Sequence, residues 1–114
     1  MTTIYKICPA AMWRRAQSDG DFRGMEIDLR DGYIHFSTAV QVEETAARHF
    51  AGMRDLVLVA VEGERLGAAL KWEPARSGDL FPHLYGTLDP AAARSVTPLP
   101  LGPDGRHQFP ALTP

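Results

Sequence analysis

The positions of proline constrain this sequence more than any other feature. Nine of its 114 residues are prolines, yet none lies between Ala10 and Glu73. Proline fixes φ and removes a hydrogen-bond donor, so a proline-free span can form helices and strands without interruption. We therefore expect the regular scaffold in the first two thirds of the chain. The sequence predicts one domain over residues 1–99, followed by an irregular tail rich in proline and glycine over residues 100–114.

Composition and charge exclude several classes of protein. There are 12 basic and 14 acidic side chains, which argues against a surface built to bind nucleic-acid backbones. The single cysteine, Cys8, excludes an internal disulfide, and we expect it in the core. No apolar run approaches the ~20 residues of a membrane span, and the N-terminus lacks the pattern of a secretory signal. We expect a cytoplasmic protein with no membrane partner. The sequence leaves its oligomeric state open.

The first half of the chain contains clear signals for strands and helices. Residues 3–8 alternate as a strand, and a helix follows Pro9, whose fixed φ suits a first helical turn, until Gly20. Residues 21–32 show no helical period and predict a loop or an irregular strand ending in a turn. Residues 33–37 predict one strand. Thr38 has the capping-box spacing to Gln41, which predicts a helix reaching Gly52.

That helix should bury an apolar stripe, and a central strand should follow it. Residues 55–61 (DLVLVAV) have the length and apolar character of a strand buried on both faces. A turn, a hairpin over residues 70–85 and a last strand over residues 94–99 complete the pattern. Pro82 places the second hairpin strand at a sheet edge or bulge. The expected fold is α+β: a single compact domain with a mixed or antiparallel sheet and two main helices. The expected stripe comprises Val40, Val42, Ala46, Ala47 and Phe50.

Two of the four histidines lie in segments that suggest a site. Strand alternation places Tyr33, His35 and Ser37 on one face, just before the capped helix. In FPHLYG, the same alternation places His83 and Tyr85 on one face of a strand. The proline and the glycine of this segment suit the rim of a cleft. Either face could instead be an ordinary polar or aromatic sheet surface.

Other common types of site are poorly supported. The remaining histidines, His49 near a helix end and His107 in the tail, are typical of surface positions. Two histidines without a recognised ligand spacing do not indicate a metal site, so we assign no metal ligand. The sequence also lacks a nucleophile elbow and a phosphate-binding glycine motif.

The order of the segments IYKIC, GYIHFST, QVEETAARHFAG, LVLVAVE, LKWEP and FPHLYG resembles the domain-of-unknown-function family 952 over most of residues 3–98. That family is in turn distantly similar to the ADP-ribosyltransferase-like fold. The fold includes NAD-dependent transferases and RNA 2′-phosphotransferases. No reaction is established for the family itself.

The resemblance implies roles for several residues. In that fold a histidine on an early strand, often followed by Ser or Thr, binds a ribose hydroxyl, and His35 with Ser37 or Thr38 matches this pattern. An aromatic residue commonly stacks on nicotinamide, for which Tyr85 is the first candidate and Tyr33 the second.

A late glutamate in that fold usually orients the nucleophile. Here no glutamate follows Leu80, and Glu73 is the nearest candidate. This difference leaves room for His83 as an acid or base.

Three functions follow as hypotheses. The first is a protein that binds NAD or a related nucleotide, with His35, His83 and Glu73 as catalytic candidates for ADP-ribosyl or RNA 2′-phosphate transfer. The second is a noncatalytic small-molecule-binding or regulatory module that uses the same cleft. The third is a structural interaction domain. No cofactor is established by the sequence, and NAD or a similar nucleotide is the candidate ligand.

Overall fold

A computed structural model describes residues 2–114, and within that range the chain forms two antiparallel sheets and three α-helices. The elements in chain order are β1 (Thr3–Pro9), α1 (Ala10–Asp19), α2 (Glu26–Asp31), β2 (Ile34–His35), β3 (Ser37–Thr38), α3 (Val42–His49), β4 (Leu56–Glu62), β5 (Leu70–Pro74), β6 (Leu80–Leu84) and β7 (Ala93–Pro98). Short 3₁₀ helices lie at Gly63–Ala69, Arg76–Gly78 and Pro90–Ala92. The expected α+β class is confirmed, and every strand pair is antiparallel.

The larger sheet has the strand order β3-β1-β4-β7. Strand β4 lies inside it and is covered on both faces, as its unbroken apolar run predicts. Val59 and Val61 face one apolar cluster, while Leu58 and Ala60 face the other. Alternate residues of β4 therefore pack into two separate apolar clusters, one on each face of the sheet.

The smaller sheet has the order β2-β6-β5, so β6 is its central strand rather than an edge strand. The expectation from Pro82 was wrong for a local reason. Strand β2 pairs with β6 only at Ile34–Leu84 and His35–His83, and it ends before it reaches Pro82. The Pro82 carbonyl still accepts a hydrogen bond from the Phe36 N–H at 3.0 Å. Pro82 therefore does not need a backbone N–H to pair with β2.

The chain passes from the smaller sheet to the larger one within the segment expected to be one strand. Residues Ile34–His35 belong to the smaller sheet, and Ser37–Thr38 pair with β1 in the larger. Phe36 lies between them and is buried in the core. This step places His35 at the junction of the two sheets.

The helices differ from expectation in number and length. Helix α1 agrees with the sequence, burying Trp13 and Ala16 and ending at Gly20, although Pro9 takes the N-cap position instead of the first turn. Residues expected to form a loop contain α2.

Helix α3 is shorter than expected because Thr38 belongs to β3 and Gln41 occupies the N-cap position. Half of the expected capping box forms, since Gln41 Oε1 accepts from the Thr38 N–H at 3.0 Å. Val42, Ala46 and Phe50 are buried as expected, while Val40 and Ala47 are exposed.

Residues 100–114 contain no helix or regular strand, yet they pack on the larger sheet. Phe109 and Leu112 contact the apolar cluster that also contains α3. The Tyr5 hydroxyl accepts from the Thr113 N–H at 2.7 Å and donates to the Thr113 carbonyl at 3.1 Å. The tail thus covers the sheet face beside α3.

Candidate functional site

The two histidines singled out by the sequence are direct cross-strand neighbours. His35 on β2 and His83 on β6 occupy the same register, and their ring centroids are 5.5 Å apart. Residues opposite each other on antiparallel strands project to the same face, so the sheet itself holds the two rings together. A separation this short allows both rings to contact one small molecule.

His35 is held by carboxylates on both ring nitrogens. Its Nδ1 atom lies 2.7 Å from Asp28 Oδ1, and its Nε2 atom lies 3.0 Å from Asp31 Oδ2. A neutral imidazole donates from only one nitrogen, whereas an imidazolium donates from both. The two carboxylates therefore fix the orientation of the His35 ring, and both contacts are hydrogen bonds only in its imidazolium form.

Asp28 organises this side of the site. It is buried and accepts hydrogen bonds from the backbone N–H groups of Met25 and His35 as well as from the His35 ring. The buried Lys6 ammonium lies 3.0 and 2.8 Å from its two oxygens. Burial alone would raise the pKa of Asp28, but hydrogen bonds from His35 and the charge on Lys6 hold it well below its usual range. Asp28 is thus a buried carboxylate that stays ionised.

His83 is oriented by Glu73 and by two tyrosines. Its Nδ1 atom lies 2.8 Å from Glu73 Oε1, which also accepts from the Tyr85 hydroxyl at 2.8 Å. The ring of Tyr33 stacks on the imidazole with a centroid distance of 4.1 Å. Because the carboxylate can only accept, Nδ1 carries a proton and the neutral ring keeps its lone pair on Nε2. Within residues 2–114 that Nε2 atom has no hydrogen-bond partner.

A cavity of about 410 Å³ opens beside the histidine pair. His35, His83 and Ser37 line it together with Thr45 and Arg76. The rest of its wall is mainly apolar and includes Ile7, Met25, Ile27, Phe50, Met53 and Phe81. An apolar cavity with a few polar side chains is typical of a small-molecule site.

The structure separates the expected site residues into two groups. His35, Ser37 and His83 line the cavity. Tyr33, Tyr85 and Glu73 are not among its lining residues: Tyr33 and Glu73 contact His83, and Tyr85 donates to Glu73. Thr38 also lies outside the lining, and its buried Oγ1 atom has no hydrogen-bond partner among residues 2–114. The tyrosines and Glu73 therefore act on the position of His83.

Several residues of the site were not identified from the sequence. Asp28 and Asp31 contact His35, and Lys6 contacts Asp28. On the other side, Thr45 contacts Ser37, and Arg76 contacts Thr45. Lys6 carried a signal, because a charge within an apolar strand that faces the core requires a buried partner. Asp28 gave no such signal, since it lies in a segment with several charged residues and no apolar period.

A family model described as "Protein of unknown function (DUF952)" matches residues 7–96. The chain belongs to the DUF952 family. The match covers the cavity-lining residues from Ile7 to His83, so the resemblance noted in the sequence is confirmed at the level of the family.

Solved structures of a protein from Caulobacter crescentus agree closely with this fold. The crystal structure of protein CC0527 from Caulobacter crescentus is 48% identical, covers 94% of both chains and has a TM-score of 0.91. The solution NMR structure of CC0527 is 48% identical, covers 95% of this chain and 93% of that one, and has a TM-score of 0.85. No curated protein matches.

Residues 2–114 hold neither a cluster of metal-ligating side chains nor a membrane-spanning helix. They contain no group of three or more His, Cys, Asp and Glu side chains placed to hold a metal ion. Within the same range, no helix has both the length and the apolar character needed to cross a membrane.

Proposed function

We propose that this chain binds a nucleotide-like small molecule of the NAD or ADP-ribose class in the cavity beside His35 and His83. The observation that carries the proposal is the registered histidine pair at the wall of a cavity of about 410 Å³. Ligand cavities generally enclose roughly 300–1,000 Å³, so this one suits a single ring with its sugar better than an entire dinucleotide. The resemblance to the ADP-ribosyltransferase-like fold supplies the class of ligand.

The same geometry supports a transfer reaction at the ribose. In that reaction the bond from C1′ to nicotinamide breaks, and its electron pair leaves with nicotinamide. An acceptor hydroxyl then forms the new bond to C1′ through an oxocarbenium-like state, and His83 Nε2 takes the proton of that hydroxyl. Glu73 holds His83 in the tautomer that this step requires. His35, paired with Asp28 and Asp31, provides a fixed group near the reacting ribose.

One observation favours a noncatalytic binding module as the second candidate. No Asp or Glu side chain in the described part of the chain lines the cavity. Glu73, the expected nucleophile-orienting carboxylate, is turned toward His83 and Tyr85. A carboxylate placed there cannot contact an acceptor in the cavity, so binding without turnover is the simpler use of this arrangement.

The test is a ligand panel read by thermal stability. NAD, ADP-ribose, AMP and nicotinamide are titrated against the wild-type chain and the variant His35→Ala, with Arg15→Ala, exposed on α1, as a control away from the cavity lining. A ligand that binds only the native state stabilises it by about 2.7 kcal/mol at 100 times its Kd. We expect stabilisation of wild type and Arg15→Ala by at least one adenine or nicotinamide nucleotide, and none of His35→Ala. A panel without effect on wild type would refute nucleotide binding and favour the structural interaction domain.

Turnover is then separated from binding by the release of nicotinamide from NAD. His83→Asn keeps a donor near the Nδ1 position for Glu73 but removes Nε2, whereas His83→Gln keeps a polar group near Nε2. If His83 is the base, both variants bind NAD and release nicotinamide at least 100-fold more slowly. Binding without release by wild type would identify the noncatalytic module.

A further inference from the structure

A chain of hydroxyl contacts fixes the hydrogen-bonding role of Ser37. Ser37 Oγ lies 2.8 Å from Thr45 Oγ1. Thr45 Oγ1 also lies 3.1 Å from the Gln41 carbonyl oxygen and 3.1 Å from Arg76 Nη2. A carbonyl can only accept and a guanidinium can only donate.

One assignment of the protons makes all three contacts of Thr45 Oγ1 hydrogen bonds at once. Thr45 has a single hydroxyl proton, which goes to the Gln41 carbonyl. Its two acceptor positions are then filled by Arg76 and by the proton of Ser37. Ser37 has no proton left to donate, yet its oxygen still has unused lone pairs. Ser37 is buried and lines the cavity, so it offers a ligand an acceptor only.

The charges around the cavity point in the same direction. Lys6 is paired with Asp28, Arg76 with Glu44 at 3.3 Å, and His35 with two carboxylates. Burial, with the nearby charges of Arg76 and Arg48, lowers the pKa of His49 below its ordinary value and favours its neutral form at pH 7. Lys6 and Arg76, the Lys and Arg among the described lining residues, each contact a carboxylate, which Lys6 shares with His35 and Arg76 shares with Arg48. A phosphate placed here would have to compete with these carboxylates for the cations.

We propose that this cavity binds the uncharged, ring-bearing part of its ligand through a hydrogen bond donated to Ser37, and that Thr45 sets this preference. A hydroxyl or carboxamide N–H fits Ser37, while a carboxylate or phosphate would place lone pairs against lone pairs. The aromatic and aliphatic wall accommodates the ring. The inference rests on the proposed function for the location of the site. It adds that any phosphates of the ligand remain outside the cavity.

The test uses benzamide and benzoate, which have the same shape but differ in charge and in the ability to donate. Their dissociation constants are measured by NMR titration on wild type, Ser37→Ala and Thr45→Val, with Thr97→Val on β7 as the matched control. We expect wild type and Thr97→Val to prefer benzamide by about tenfold, the size of one hydrogen bond. Ser37→Ala loses the preference. Thr45→Val frees the Ser37 proton, so benzoate gains affinity and the preference falls at least threefold.

Each outcome of this test has a definite consequence. A wild-type cavity that binds neither probe, or that binds benzoate at least as well as benzamide, overturns the inference. A Thr45→Val variant with the wild-type ratio overturns the role of Thr45. If benzamide is preferred but no nucleotide binds in the ligand panel, the proposed function fails while this inference stands.

Discussion

At the scale of single residues, Asp28 has more polar partners than any other group near the site. Replacing it by Asn removes the charge that compensates the buried Lys6 ammonium. Breaking one partner of a buried ion pair costs about 3–5 kcal/mol, because the remaining charge stays desolvated. We expect Asp28→Asn to lower the free energy of unfolding by this amount in urea denaturation.

Asp31→Asn is the matched control for that variant. It removes the other carboxylate on His35, but the Asp31 side chain is 29% exposed whereas that of Asp28 is 1% exposed. Water can replace the interactions of an exposed carboxylate, so the control should lose much less stability. Equal losses for the two variants would contradict the central position of Asp28.

The stability conferred by Asp28 should also depend on pH. Its pKa in the folded chain lies well below the unfolded value of about 3.9, because His35 and Lys6 together outweigh the effect of burial. A carboxyl group with a lowered folded pKa contributes its full stability above the unfolded pKa and loses it as the pH falls toward the folded pKa. Wild type should therefore lose stability from about pH 4 downward with a steeper slope than Asp28→Asn, as measured by urea denaturation at several pH values. Parallel slopes would show that Asp28 does not titrate in this way.

Tyr85 provides a residue-scale test of the Glu73 contact. Its hydroxyl donates to Glu73, and this hydrogen bond together with the negative charge raises the pKa of Tyr85 above its ordinary value. We expect Glu73→Gln to lower that pKa toward about 10, as measured by the ultraviolet absorbance of tyrosinate. Tyr85→Phe identifies the transition that belongs to Tyr85. An unchanged transition in Glu73→Gln would contradict the contact.

At the scale of elements, the sequence predicted best where burial and periodicity coincide. Strand β4 is an unbroken apolar run of strand length, helix α1 buries Trp13 and Ala16 at helical spacing, and both form as expected. Helix α2 could not be predicted in this way, because its apolar residues Ile27 and Leu29 are largely exposed. Its position is fixed by the contacts of Asp28, which are tertiary.

The site illustrates the same limit. Alternation placed His35 and His83 in strands, but only the pairing of β2 with β6 brings them into register. No local pattern specifies which strands pair, because pairing depends on contacts far apart in the chain. The break at Phe36 is equally nonlocal, since its N–H bonds to Pro82 on another strand. The sequence analysis thus named the histidines and Glu73, whereas Asp28 and Asp31, the carboxylate partners of His35, required the structure.

Gly24 tests how closely α2 approaches the preceding loop. Its φ is +109°, and a Cβ at this position would lie 2.7 Å from the Cβ of Asp28. Gly20 also has a positive φ, +77°, but an added Cβ meets no atom within 4 Å. Gly20→Ala should therefore show only the cost of the left-handed conformation, about 1–2 kcal/mol. Gly24→Ala should cost distinctly more in thermal or urea unfolding, because it also displaces Asp28. Equal costs would show that α2 shifts without penalty.

At the scale of the whole molecule, the larger sheet separates two apolar clusters. One contains Trp13 and Phe22 and lies toward the smaller sheet, and the other contains Phe50 and Leu99 and lies toward α3 and the tail. The cavity draws residues from both regions, since Phe36 and Phe50 each line it. A change in either layer can therefore alter the shape of the site.

The division into a domain at residues 1–99 and a tail at residues 100–114 remains a prediction, and deletion of residues 109–114 tests it. The deletion removes Phe109 and Leu112 from the apolar cluster beside α3. It also leaves the Tyr5 hydroxyl without both of its bonds to Thr113. Fully burying one large apolar side chain contributes about 1.5–3 kcal/mol, and both of these are partly buried, so we expect the shortened chain to lose about 2–4 kcal/mol in urea denaturation.

Tyr5→Phe is the control for that deletion, because it removes the two hydrogen bonds and leaves the apolar contacts in place. It should cost about 1–2 kcal/mol, less than the deletion. A shortened chain as stable as wild type would show that the domain folds independently of the last six residues of the tail. The expected loss would instead show that these residues stabilise the apolar cluster beside α3. That cluster includes Phe50, which also lines the cavity.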